Sequence, residues 1–397
     1  MLTRKIILIV LFTSITFSSF QSFGQEIEKI QIGTKFKMNS KFLNEERTYT
    51  VGLPKSYHTN LKKYPILVLL DGDEHFQGVS GIVDQMNQGR NHGHIPEMII
   101  VAIGNTDRTR DFTPTNSIIF LDGVEKPQYQ STSGGSAAFL EFLEKELLVV
   151  IEKKYRTNSY KTLIGHSYGG LLAGLSYLSE DSSFDSYLTI DPSFWWDKQI
   201  ILKKMDAVKT EDLKDKKMYI SSAYSYKTWK NFGLSRKGQD LFFAKLQDRN
   251  ILSPNLKIQY FEEEDHWTVP TISLYHGLKF IYQDFYMKDM RTKSVESIIK
   301  YYKNRFGGKF SPPETTINTL AYRFLGSENN QDKLKSLKLF QLNIANYPNS
   351  SNAFDSLGKA YLTNGDNRKA LENYKKALTL NPKSKILKQI IKELENK

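Results

Sequence analysis

Residues 161–178, Lys-Thr-Leu-Ile-Gly-His-Ser-Tyr-Gly-Gly-Leu-Leu-Ala-Gly-Leu-Ser-Tyr-Leu, decide how the rest of the chain is read. A short apolar run, Thr162 to Ile164, enters Gly165-His166-Ser167-Tyr168-Gly169, and a small-residue apolar helix pattern leaves it. Strand, sharp turn, helix is the order of a nucleophile elbow. Such a turn strains its central serine so that the hydroxyl stands clear of the backbone. Glycines on either side remove Cβ atoms where strand and helix nearly touch. The helix N-terminus then points free N–H groups and a positive dipole end at charge developing on an attacked carbonyl. A bare Gly-x-Ser-x-Gly is a weak signal; the strand before it and the helix after it make Ser167 a candidate nucleophile.

Strands on either side of the elbow set the fold. Tyr64 to Leu70 and Met98 to Ile103 are continuous apolar runs, the pattern of parallel strands buried on both faces. A helix pattern, Val79 to Met86, lies between them, and another, Ala137 to Lys154, precedes the elbow strand. Further strands are expected at Tyr187–Ile190, Lys217–Ala223 and Leu256–Phe261, then a helix from about Thr271 to Tyr286. Alternation over Lys35–Leu53 reads as antiparallel lead-in strands. Repeated strand–helix–strand order implies a mainly parallel sheet with right-handed crossovers, flanked by helices. Ligands of such sheets bind beyond the C-terminal strand ends. Asp71–Phe76, Gly104–Asp111 and Ser167 all fall on that edge, and the polar stretch 112–135 reads as a loop over it.

A serine hydroxyl needs a positioned base. His266 follows the last expected strand, and serine before histidine is the chain order of α/β-hydrolases. The carboxylate that would fix its tautomer is left open. The loop after Lys217–Ala223, its usual place, reads Tyr224-Ser225-Tyr226-Lys227 and offers none before Asp240. Asp197 is favoured, with Asp240 and Asp191 as alternatives and a Ser–His dyad still open. An oxyanion hole would use the N–H of Tyr168 and a second from Gly72-Asp73. Arg108 and Arg110 either meet an anionic substrate or pair with neighbouring carboxylates such as Asp107 and Asp111. Trp195 and Trp196 either wall an acyl pocket or pack in the core. No metal or cofactor is expected.

Five motifs in order carry a resemblance: Tyr64-Pro65-Ile66-Leu67-Val68-Leu69-Leu70-Asp71-Gly72-Asp73, Thr106 to Pro114, Gly165-His166-Ser167-Tyr168-Gly169-Gly170, Ser193-Phe194-Trp195-Trp196-Asp197 and Asp265-His266-Trp267-Thr268-Val269-Pro270. Over about residues 30–290 the chain resembles the esterase D / enterochelin esterase-like hydrolases. The resemblance implies an α/β-hydrolase fold and a serine esterase with Ser167 as nucleophile and His266 as base. Its relatives cleave siderophore trilactones, feruloyl or acetyl sugar esters and S-formylglutathione. The missing acid after Lys217–Ala223 departs from the family pattern. Acyl transfer to a sugar or lipid on the same fold is one alternative. A binding protein with an idle hydrolase domain is another.

The remaining organisation follows from composition. The chain has 397 residues, no cysteine and a formal charge of +12. Disulfides, thiolate metal sites and a cysteine nucleophile are therefore excluded. Residues 25–280 are neutral, with 32 basic and 32 acidic side chains, while 281–397 hold 21 and 11. The charge belongs to the C-terminal part and does not surround Ser167, which argues against nucleic acid as a partner. Met1 to Gly24 reads as a secretory signal peptide, with a cationic start, an apolar run and Ser22-Phe23-Gly24 before Gln25. An exported protein, periplasmic or secreted and without stable membrane insertion, is expected. Residues 25–290 would form the esterase domain and 291–313 a linker with a short helix. Beyond it, Phe354 to Tyr361, Gly365, Ala370, Tyr374, Ala377-Leu378 and Pro382 resemble a tetratricopeptide repeat. A shift of 34 residues pairs Pro382 with Pro348 and Tyr374 with Phe340. Residues 314–397 thus read as a small all-α module, one good repeat, one weak one and a capping helix from Ser384. Its basic groove could hold a protein or peptide partner, whereas the esterase site would take a small ester.

Overall fold

Strand β3 (Tyr64–Leu69) shows why the chain folds as an α/β sheet: all six residues are buried, so both of its faces are covered. Alternate side chains supply two separate cores. Ile66, Val68 and Leu70 join one apolar cluster, and Leu67 and Leu69 the other. The computed structural model describes residues 30–59, 61–87, 94–224 and 233–396. The signal-peptide reading of 1–24 and the turn residues Ser225–Lys227 lie outside them. Residues Ile32–Lys397 form one compact unit.

The described residues form eight strands, β1 (Thr34–Ser40), β2 (Glu45–Gly52), β3, β4 (Ile99–Ile103), β5 (Thr157–His166), β6 (Ser186–Ile190), β7 (Lys217–Ala223) and β8 (Leu256–Phe261). They lie side by side in the order β1-β2-β4-β3-β5-β6-β7-β8. β1 pairs antiparallel with β2, and β2 antiparallel with β4. Every pairing from β4 to β8 is parallel. The chain moves outward from β3 to β4, then returns to place β5 on the other side of β3. The strand order therefore reverses between β3 and β5, and the crevice at such a reversal is where ligands bind in open α/β sheets.

Helices α1 (Gly72–Asn87), α2 (Arg108–Phe112), α3 (Pro127–Gln130), α4 (Ser136–Glu141), α5 (Leu148–Lys154), α6 (Tyr168–Tyr177), α7 (Trp196–Asp206), α8 (Glu211–Lys214), α9 (Gly233–Asp248) and α10 (Val269–Ile281) fill the connections. The helix expected over 137–154 is present as α4 and α5, joined by a wider π-helical turn over Phe142–Leu147. Phe139, Leu143, Leu147 and Ile151 bury on the first core with Phe194, Trp196 and Phe242. Val79 and Val83 of α1 and Leu274, Leu278 and Ile281 of α10 cover the opposite face. α1 starts at Gly72, seven residues before the periodicity reveals it. Its first turns are half-exposed and carry no apolar stripe.

Helices α11 (Val295–Phe306), α12 (Glu314–Leu325), α13 (Asn330–Asn346), α14 (Ser351–Thr363), α15 (Asn367–Leu380) and α16 (Lys385–Glu395) complete the chain. The stretch read as a linker is packed: α11 buries Val295, Ile298, Tyr302 and Phe306. These join the same apolar cluster as α10, α12 and part of α13 and α14. The Tyr302 hydroxyl donates to the Phe285 carbonyl at 2.6 Å, and Lys309 pairs with Asp185 at 2.6 Å. Phe310 sits among Phe306, Tyr160 and Phe285 at centroid separations of 4.9, 5.0 and 5.3 Å. Gly307 and Gly308 have φ of 57° and 75°, so the boundary glycines are needed to stop α11 and turn the chain. Replacing Phe310 by Ala should cost about 3–5 kcal/mol, since an aromatic contact shared by sheet and C-terminal helices becomes a cavity. Urea unfolding should show one transition shifted to lower denaturant. An unshifted midpoint would mean that the C-terminal helices do not share the sheet's core.

Candidate active site

The elbow read from sequence is present. Ser167 has φ 58° and ψ −115°, a conformation that costs a non-glycine residue of order 1–3 kcal/mol. The strand entering it and the helix leaving it hold it there. Its N–H donates to Ile190 O at 3.0 Å, its carbonyl accepts from Leu171 and Ser193, each at 3.0 Å, and its Oγ lies 3.4 Å from Ser193 Oγ. A Cβ on Gly165 would collide with the Gly169 carbonyl, so the β5–α6 crossing requires glycine.

Ser167 heads α6, and Tyr168 is the helix's first residue, where an N–H has no intrahelical acceptor. α1 begins just as abruptly after β3. A Cβ on Gly169 would come 3.2 Å from Asp71 Oδ2, so the two helix starts lie against each other at the β3–β5 reversal. The Gly72-Asp73 turn and Tyr168 thus present backbone donors at one crevice. The Asp73 side chain itself pairs outward with Lys35 at 2.9 Å.

His266 lies between β8 and α10. Asp265 folds the turn that carries it: Oδ1 accepts from the N–H groups of Trp267 at 2.8 Å and Thr268 at 3.0 Å. The end of the acidic run Glu262–Asp265 is therefore a turn former. Those backbone bonds hold the Asp265 carboxyl below its usual range. His266 Nδ1 is 2.6 Å from Asp191 Oδ2. Its ring lies against that of His166, the residue before Ser167, tilted by 40° at a centroid distance of 4.5 Å. Burial keeps His166 well below the ordinary histidine range, with the neighbouring His266 acting in the same direction. The layer beneath His266 is therefore a neutral imidazole near pH 7.

The acid favoured from sequence is corrected by this geometry. Asp191, not Asp197, holds His266. Asp191 follows β6 directly, is fully buried and has φ 37°. Burial pushes its carboxyl up. The bond to His266 and donors from Gln239 and Ala223 outweigh that and leave it below the usual carboxylate range. Asp197 lies six residues on, in a left-handed stretch at the start of α7. Asp240 is turned away too, accepting from the Tyr260 hydroxyl at 2.6 Å on the exposed surface.

Arg108, Arg110 and Trp196, each open to two readings in the sequence, make structural contacts. Arg108 clasps Asp71 through Nε at 2.6 Å and Nη2 at 2.9 Å, and Nη2 also donates to His166 O at 3.0 Å. Arg110 bonds Glu45 at 2.7 and 3.0 Å and Asp111 at 2.8 Å. Asp111 in turn meets the fully buried Arg47 at 2.6 Å. Both candidate arginines thus brace the turns around the crevice, as the pairing reading expects. Trp196 is wholly buried, its indole N–H on Thr115 Oγ1 at 3.1 Å, and belongs to the core. Trp195 remains half-exposed, against Phe120 at 5.1 Å and Tyr168 at 6.1 Å. Trp267, beside His266, is 75% exposed. The stretch 112–135 returns on itself through Phe120 N–H to Val124 O and Lys126 N–H to Ile118 O. It docks on the elbow by Gln130 Nε2 to Tyr168 Oη at 3.0 Å. Sequence reasoning missed Asp71, which it quoted without a role, and Gln239, for which a helical glutamine gives no signal.

Comparison with known proteins agrees with this architecture. The model of a family described as putative esterase matches residues 40–232. A solved structure, an IroE-like serine hydrolase from Shewanella oneidensis, is 31% identical with a TM-score of 0.69, covering 79% of this chain and 99% of that one. Among curated proteins, the ferri-bacillibactin esterase BesA of Bacillus subtilis is 34% identical over 188 residues, 44% of this chain and 63% of that protein. The siderophore triacetylfusarinine C esterase of Aspergillus fumigatus is 27% identical over 175 residues, 38% of this chain and 60% of that protein. The chain thus spans less than two thirds of the length of these curated relatives. An uncharacterised protein from Capnocytophaga ochracea is alike in fold alone: 19% identity, TM-score 0.59, 92% of this chain and all of that one.

Proposed function

Because the chain belongs to the enterochelin esterase-like family of putative esterases, we propose that it is a serine esterase that hydrolyses siderophore ester bonds through an acyl-enzyme. The observation that carries the reading is the 2.6 Å bond between Asp191 and His266, set beside a strained Ser167 at the strand-order reversal. With Nδ1–H held by the carboxylate, the imidazole presents the lone pair of Nε2 as a base. Ser167 Oγ attacks the ester carbonyl as its proton passes to Nε2. The oxyanion is met by the N–H of Tyr168 and by one from Gly72-Asp73. The imidazolium then protonates the departing alkoxide. Water, deprotonated by the same nitrogen, attacks the acyl carbonyl, and Ser167 leaves with a proton. Asp191, held ionised below the usual range, supports the imidazolium in both halves.

The siderophore assignment draws on what the relatives are named for, and on two accessible indoles beside the site, Trp195 against Tyr168 and Trp267 against His266, that suit aromatic or bulky esters. The α/β-hydrolase assignment rests on the elbow and on the chain order Ser167, Asp191, His266. The paired helices α12 to α15, capped by α16, suit tetratricopeptide-type stacking. The leader-like segment 1–24 suits action outside the cytoplasm, and no helix of the described residues is long and apolar enough to cross a membrane. A panel of cyclic trilactone siderophores, feruloyl esters and acetylated sugars tests the proposal. The trilactone should exceed the others by at least about tenfold in kcat/KM, or about 1.4 kcal/mol in barrier. A feruloyl or acetyl ester turned over faster would overturn the siderophore assignment. A chain that cleaves no ester would overturn the esterase.

A further inference from the structure

We propose that Gln239 is the positioning residue of the Asp191–His266 pair, its buried amide fixing the carboxylate so that Oδ2 stays on Nδ1 of His266. The inference rests on the esterase reading of this site. A carboxylate turns easily about its terminal torsion, which has only broad preferences. A grip on one oxygen therefore does not fix the other. Here Asp191 Oδ1 accepts from Gln239 Nε2 at 2.9 Å and from Ala223 N–H at 3.2 Å, leaving Oδ2 for His266. In the sequence, the stretch between these two donors offers no acid before Asp240. In this chain the end of β7 and helix α9 supply the acid's holders instead of the acid.

The amide is built for this place. Gln239 is fully buried, and Nε2 also reaches Pro192 O at 3.1 Å and Ser235 Oγ at 3.4 Å. Its Oε1 has no partner among the described residues. Asp191 Oδ1 and Pro192 O can only accept, so they dictate the orientation of the amide. Among the described residues Oε1 is thus a buried orphan, which ordinarily costs about 1–3 kcal/mol. A leucine would avoid that cost if packing alone were required. The neighbouring Gly238 brings α9 close enough: a Cβ there would stand 3.0 Å from the backbone of Phe194 and Trp195, on the turn that follows Asp191.

The charged and titratable groups around the pair are otherwise engaged. Burial holds His166 on β5 well below the ordinary histidine range. Arg108 on α2 is clasped by Asp71. Asp265 is held in the turn of His266. Arg236 on α9 donates to Ser222 Oγ and Ala223 O and pairs with Glu262 at 3.0 Å. None of these supplies the second oxygen of Asp191 with a donor.

Two variants of the full chain test the role. Gln239→Met keeps the length and loses the donor. It should lower kcat by about 10- to 100-fold with KM within about twofold, and broaden or abolish the low-field proton resonance of His266 Nδ1–H. Gln239→Glu can donate to Asp191 only while protonated. Its activity should approach wild type at the acid end and fall as pH rises through the new carboxyl's pKa, a limb that wild type lacks. A purely structural glutamine would move the unfolding midpoint and leave both the resonance and the pH profile unchanged. That result in both variants overturns the inference. If wild type cleaves no ester, the activity reading fails separately, and the resonance in wild type against Gln239→Met decides the positioning role.

Discussion

Ser167→Ala should leave the fold intact and reduce hydrolysis of a short aryl ester by on the order of 10⁶-fold, with complete loss of fluorophosphonate labelling. The fold survives because the hydroxyl's hydrogen-bond contact is a long one, 3.4 Å to Ser193 Oγ, while the strained backbone is held by main-chain bonds to Ile190, Leu171 and Ser193. Alanine adopts the same φ of 58° with no new side-chain clash. What disappears is the atom that forms the acyl-enzyme. Residual catalysis from oxyanion donors and binding alone should remain measurable above water. His266→Ala should fall by a similar factor, and the double variant no further, because nucleophile and base work as one unit. Circular dichroism and the unfolding midpoint check the fold. Activity above about 1% of wild type in Ser167→Ala would remove Ser167 from the chemistry.

Much of this site is legible in the sequence, for reasons of local sterics. Gly165 can be read because the strand–helix crossing leaves no room for a Cβ, and Gly169 because a Cβ there would crowd Asp71. The strands β3 and β4 can be read because burial on both faces demands unbroken apolar runs. His266 follows from chain order and position at a strand end. The acid does not. Asp191 and Asp197 both follow β6, and nothing in residue type separates them. The distinction is conformational: Asp191 sits at φ 37° before Pro192 and points into the sheet edge, and its holders come from β7 and α9, dozens of residues away. The roles of Arg108 and Trp196 are likewise long-range facts. A guanidinium spaced for substrate and one clasped by Asp71 look the same along the chain. The packed stretch 291–313 was obscured by its Gly-Gly and Pro-Pro pairs, which end helices as readily inside a core as between domains.

Asp191→Asn should cost on the order of 10⁴-fold in kcat, whereas Asp197→Asn and Asp240→Asn should stay within about threefold of wild type. The asparagine has the size of the aspartate and keeps its backbone. Its amide can offer an N–H toward His266 Nδ1 where the carboxylate offered an acceptor. The imidazole then takes the tautomer with hydrogen on Nε2, which cannot receive the proton of Ser167. The imidazolium formed during reaction also loses its counter-charge. Two effects thus act through one 2.6 Å contact, which is why an isosteric change should approach the cost of removing the base. The pH dependence of the wild type follows with its sign. The Asp191 carboxyl is held below its usual range when folded, so its contribution to stability is present above the unfolded value and is lost as pH falls through the folded one. Asp191→Asn should therefore flatten the acid side of the stability profile as well as abolish turnover. Asp197 makes no bond to His266 and should do neither. If Asp197→Asn is the crippled variant and Asp191→Asn turns over normally, the triad must be redrawn around the α7 start. If none of the three falls by more than about tenfold, Ser167 and His266 act as a dyad, and the buried carboxylate serves only to hold the ring.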